Sequence, residues 1–231
     1  MDPSSSGGAF PPTAWTALEA IAAGGAEAPQ ALETVSRCYW KPVYVYLRRK
    51  GRPEAEAADL VQGFFVHLLE KDLLSRPERS QGRFRTWLRA VLEHFLANEA
   101  RIAAALKRGG GRRPLPLDIA GGEEAAIAGG EISPEAAFDR AWAIGVLQRA
   151  LVRLDREYRA AGKPDVLPAL RGRFGLAGSA APAEPVDGTT LHRARQRLRA
   201  LVLDEVADGT PRPGEAESEV ADLFRALGGK S

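Results

Sequence analysis

The sequence predicts an all-α protein: two small helical bundles joined by a Gly/Pro-rich linker. Three observations carry that expectation. Apolar residues recur at intervals of three and four along most of the chain, the period of a helix with one buried face. No segment alternates apolar and polar residues as a half-buried strand does. Gly and Pro clusters cut the chain into pieces of helical length. The 231 residues can form one large domain or two small ones, and 45% hydrophobic content is enough for a packed core.

Residues 1–13 are rich in Ser, Gly and Pro and read as a disordered arm. A first domain is expected over residues 14–108. Leu18, Ile21 and Ala22 mark its first helix, broken at Gly24-Gly25. Ala31 to Lys50 gives a second, with Leu32, Val35, Tyr39, Val43, Tyr46 and Leu47 apolar; Pro42 inside it predicts a kink or a restart. Gly51-Arg52-Pro53 ends that helix. Glu54 to Leu74 and Phe84 to Arg108 are the third and fourth, flanking a polar loop.

Residues 109–132 lack periodicity and read as the linker. The second domain covers 133–231. Ser133-Pro134-Glu135 opens it as a helix start, with Ser133 as N-cap and Pro134 in the first turn. Phe138, Trp142, Val146, Leu147, Leu151 and Leu154 then form a long apolar stripe. Gly175 to Asp187 is a poorly ordered patch, Thr189 to Val206 a basic helix, and Glu215 to Leu227 a final acidic one.

Composition excludes several classes of function. The single Cys38 cannot form an internal disulfide, which fits a reducing cytosol and excludes a Cys-rich zinc site. The three His do not stand at metal-ligand spacing, so neither metal nor cofactor is expected. No apolar run reaches the roughly 18 residues a membrane span needs. The first residues lack a basic region followed by an apolar one, so no signal peptide is expected. No Ser/His/Asp set, Gly-rich phosphate loop or acidic metal cluster supports an enzyme.

Charge is unevenly spread. Residues 82–113 hold eight Arg/Lys against two Glu, a local net of +6, whereas the whole chain carries +2. Residues 204–222 hold seven acids and one Arg. On the fourth helix Leu88, Leu92, Phe95, Ile102 and Leu106 fall on the core side, at about 100° per residue. Trp87, His94, Asn98 and Arg101 fall on a neighbouring face. Trp offers a plane for an unstacked base, Asn pairs with an adenine edge, and Arg and His reach phosphate. Arg83 and Arg85 stand at the start of this helix, placed to steer a strand. The combination suits a nucleic-acid partner.

The stretch EAEAADLVQGFFVHLLEKDLL, a polar loop, and FRTWLRAVLEHFLANEARIAAALKR follow one another over residues 54–108, within a region of about residues 30–108 that the resemblance covers. In order and spacing, Asp59-Leu60-Val61-Gln62-Gly63-Phe64, then Phe84, Trp87-Leu88, Asn98 and Arg101, resemble the second conserved region of sigma-70 family factors of the extracytoplasmic-function kind. The resemblance implies that Asp59, Gln62 and Val66 dock on the β′-subunit coiled coil of RNA polymerase. It implies that the loop Ser75 to Arg83, with Trp87, His94 and Asn98, captures flipped bases of the promoter minus-ten element. His94 stands where Asn or another polar group is expected.

The second half is similar to the family's fourth region, a helix-turn-helix for the minus-thirty-five element, in a divergent form. Thr189 to Arg199 resembles the recognition helix, with Thr189, Thr190, His192, Arg193 and Gln196 toward a major groove. Its partner helix is replaced by GLAGSAAPAEPVDG, where Pro182 and Pro185 each cost about 3 kcal/mol inside a helix. The acidic tail is expected to pack back on the basic helix.

The resemblance implies a cytoplasmic, non-enzymatic sigma factor. It would bind core RNA polymerase and direct promoter recognition and opening, with an anti-sigma factor as a further partner and no membrane association. The alternative is a divergent sigma-like regulator that binds DNA or polymerase without initiating transcription. An all-α protein-binding scaffold and a helical hydrolase or nuclease are the other classes the residues leave open.

Overall fold

A computed structural model describes residues 14–74, 83–107, 132–173, 185–207 and 215–227. Among these the chain is all-α, with eight helices and no strand. They are α1 (Ala14–Ala23), α2 (Ala28–Arg49), α3 (Glu54–Glu70), α4 (Phe84–Lys107), α5 (Pro134–Ala160), α6 (Val166–Arg173), α7 (Gly188–Ala207) and α8 (Glu215–Ala226). The expected arm at 1–13, most of the loop Ser75 to Arg83, nearly all of the linker at 109–132 and the Pro-rich segment before the basic helix lie outside the described residues.

Local chemistry sets the helix ends. α2 stops at Lys50, where Gly51 takes φ +82°, a left-handed conformation that favours glycine. The Arg52 N–H then reaches the Leu47 carbonyl at 3.1 Å and the Gly51 N–H reaches Arg48 at 3.0 Å, which satisfies two carbonyls of the last turn. Pro42 neither ends nor restarts α2, and it is buried within the helix. Ser133 caps α5 as expected: its Oγ accepts from the Ala136 N–H at 3.2 Å, ahead of Pro134 in the first turn. Asp187 caps α7, accepting from the Thr190 N–H at 2.8 Å. A bond from the Thr190 side chain, followed by this backbone bond, holds the exposed Asp187 carboxyl below its ordinary range.

α2 is the central helix. Pro42, Val43, Val45, Tyr46 and Leu47 are all buried, so its C-terminal half is covered all round. One side packs on α1 and α3, another on α5. The ring of Tyr46 meets Phe138 edge-on at 6.3 Å. A single apolar cluster therefore joins Tyr39 and Tyr46 of α2, Phe64 of α3, Leu88 of α4, Phe138 and Leu154 of α5, Leu201 of α7 and Leu223 of α8. The helical bundles of the two halves share this core. α4 is pinned at its middle by Glu93, which accepts from the Tyr46 hydroxyl and pairs with Lys50 at 2.6 Å.

Two details differ from the sequence reading. Ile102 was expected on the core side of α4 but is 43% exposed, because the buried stripe of that helix ends at Leu96. Leu106 has no described side chain. The short α6 was not anticipated: Pro168 and Gly172 interrupt its pattern, and tertiary burial of Val166, Leu167 and Leu170 outweighs that weak propensity.

No helix among the described residues is long and apolar enough to cross a membrane. Cys38 lines a cavity of about 500 Å³ between α2 and α5, and burial pushes its thiol pKa up. Since the thiolate is the nucleophile, alkylation by iodoacetamide at about pH 8 should run at least about tenfold slower than for a free cysteine, and recover that rate in urea. The rate is read by mass spectrometry.

Candidate nucleic-acid interface

α3 and α4 share the core, and two ring contacts of Phe95 join them. Phe95 of α4 lies 5.6 Å from the Phe64 ring and 5.3 Å from His67. Gly63 faces the same ring, and a Cβ there would meet it at 3.5 Å, an ordinary van der Waals contact. With the inner sides fixed in this way, each helix turns a second face outward.

On α3 that face holds Asp59, Gln62 and Val66, at spacings of three and four. Gln62 is exposed, Asp59 half-buried and Val66 50% exposed, with Leu69 continuing the line at 47%. It is a polar edge running into an apolar pair.

On α4, Trp87, His94, Asn98 and Arg101 fall within one narrow sector. His94 and Arg101 are exposed, Trp87 and Asn98 half-buried. The Arg101 guanidinium donates to Asn98 Oδ1 at 2.7 Å. Trp87 stacks on Phe84 at 5.4 Å with 26° between the planes, and Phe84 in turn meets Tyr39 edge-on at 5.1 Å. One face of the indole is thus fixed to the core, and the side chain as a whole is half-buried.

Arg83 and Arg85 are placed otherwise than an open helix start would require. Arg85 is 7% exposed and lies 4.5 Å over the Trp142 ring. Its guanidinium pairs with Glu219 at 2.7 Å and Asp139 at 3.1 Å. Arg83 pairs with Glu219 at 2.6 Å and with Asp222. Burial pushes the Glu219 carboxyl above its ordinary range, more than Arg85 and Arg83 pull it down. Asp222 is held low: burial raises it, but hydrogen bonds from Arg83 and Arg225 outweigh that. The acidic helix α8 therefore packs on α5 as well as on the basic helix α7, and its carboxylates reach α4.

On α7, Thr189, His192, Arg193 and Gln196 are exposed along one side, and Thr190 is half-buried at the cap. Arg197 is drawn away to Glu157, with two contacts of 2.8 Å. The Glu157 carboxyl is lowered by that bond. Most of the segment GLAGSAAPAEPVDG, which stands where the partner helix of a helix-turn-helix is expected, lies outside the described residues.

Among the described residues no group of three or more His, Cys, Asp or Glu could hold a metal ion. No protein-family model, curated protein or solved structure matches the chain.

Proposed function

We propose that the chain is a cytoplasmic sigma-type transcription factor. It binds core RNA polymerase through α3 and directs promoter recognition and opening through α4. One observation supports the reading above others: two outward stripes of different chemistry stand on helices joined at Phe95. The α3 stripe of Asp59, Gln62 and Val66 has the mixed character of a helix-on-helix interface, and the α4 stripe carries an aromatic plane, an amide and a cation. Melting DNA costs about 1.4 kcal/mol per stacked step, and one base captured on an aromatic ring returns about 1–3 kcal/mol. A few captured bases plus phosphate contacts therefore offset a short opening.

The test is a pull-down with core RNA polymerase. Wild type should be retained, and Asp59→Ala with Gln62→Ala should cut retention by about tenfold, a loss of about 1.4 kcal/mol. Failure of the wild type to bind removes the reading.

A second reading, a sigma-like regulator that does not initiate, is favoured by the engagement of Arg83 and Arg85 with carboxylates. Promoter-directed transcription by purified core polymerase with this chain separates the two.

A further inference from the structure

A cleft of about 520 Å³ opens between the first turns of α4 and α5 and the last turn of α8. Five arginines line it: Arg83, Arg85, Arg89, Arg140 and Arg225. Only Asp139 and Asp222 face them across the cleft, with Glu219 bound to Arg83 and Arg85 behind it. Arg89 reaches Asp139 only at 3.5 Å, and Arg140 pairs with no carboxylate among the described residues. Among the residues that line the cleft, five arginines thus face two carboxylates.

We propose that this cleft is an oligophosphate site, and that Asp222 of α8 stands in it where a phosphate group would. Guanidinium forks match phosphate oxygens in pairs, and clustered arginines are better satisfied by a multiply charged phosphate chain than by single carboxylates. The volume falls in the range of small-ligand sites. The chemistry has two sources, a free oligophosphate or consecutive phosphates of a nucleic-acid strand. The site is separate from the α3 surface, so failure of polymerase binding and failure of this site are seen independently.

The full chain is titrated calorimetrically with inorganic tripolyphosphate at about 50 mM salt, where charge is weakly screened. Saturable one-to-one binding is expected. Arg140→Ala should weaken it by about tenfold through loss of a charge-assisted contact. Arg159→Ala removes the same charge from an exposed position paired with Asp155 and should leave binding unchanged. Asp222→Asn removes a competing carboxylate and should tighten binding by about fivefold. Thermal melts of each variant verify the fold.

Absence of saturable binding in both wild type and Asp222→Asn overturns the site. So does equal weakening by Arg140→Ala and Arg159→Ala, which would mark general charge attraction, or no gain from Asp222→Asn. A single-stranded oligonucleotide then assigns the source. Competition with tripolyphosphate points to a strand, and binding without competition to a free oligophosphate; either result supports the site.

Discussion

Arg85→Ala should lower the free energy of unfolding by about 3–5 kcal/mol, the range for removing one partner of a buried ion pair. The side chain is 8% exposed, and its partner Glu219 is 4% exposed. Without Arg85, Glu219 keeps only Arg83, Asp139 keeps only the 3.5 Å contact to Arg89, and the Trp142 ring loses the cation above it. Urea unfolding followed by tryptophan fluorescence measures the loss. Glu219→Gln in the Arg85→Ala background should restore part of it, because the stranded charge is gone. The double-mutant cycle isolates the pair from the packing of the arginine stem.

The pH dependence of that loss has a definite sign. Burial already raises the Glu219 carboxyl, and Arg85 is the strongest group opposing the rise. Deleting Arg85 drives the folded-state value higher still. A raised acid contributes stability that is full below its unfolded value and is lost as pH rises through the folded one. The Arg85→Ala deficit should therefore be smaller at about pH 4.5 than at about pH 7. Asp222 acts in the opposite direction, since its lowered carboxyl contributes above its ordinary value and loses that contribution only at lower pH. A deficit equal at both pH values would mean that Arg85 acts by packing on Trp142 rather than by charge.

Helix ends were readable because they are local. The Gly51 stop and the Ser133-Pro134 start each need only a few neighbouring residues, and both stand where expected. The meeting of α2 with α5 is a different kind of fact. Periodicity reveals one apolar face of a segment, not which distant helix covers it. Yet the run Pro42-Val43-Tyr44-Val45-Tyr46-Leu47 is too apolar for a helix with one wet side, and that was the available signal for a central position. Arg85 carried a similar signal. It precedes Leu88 by three residues and Leu92 by seven, so it lies on the buried stripe, and a cation there demands buried acids. Which acids these are could not be read locally, because Glu219 lies 134 positions away. The excess of acid at 204–222 announced only that some basic surface would be met.

The stripe on α4 makes the other large prediction. Trp87→Ala should weaken binding of a single-stranded oligonucleotide by about five- to 150-fold, from about 1–3 kcal/mol for one stacked base. Trp87→Phe should recover most of this, since a smaller ring still gives a base a flat surface and still packs on Phe84. Both changes trim a half-buried side chain, so affinities are compared well below the melting temperature of each variant. Salt dependence separates stacking from charge. Arg101 is exposed and among the described residues bonds to Asn98 alone, so Arg101→Ala should reduce the slope of log affinity against log salt by about 0.7, the value for one phosphate on a single strand. Trp87→Ala should leave that slope unchanged while lowering affinity at every salt concentration. An oligonucleotide bound equally well by wild type and Trp87→Ala would mean that the indole serves only to cover Phe84, and α4 would then offer a strand nothing but charge.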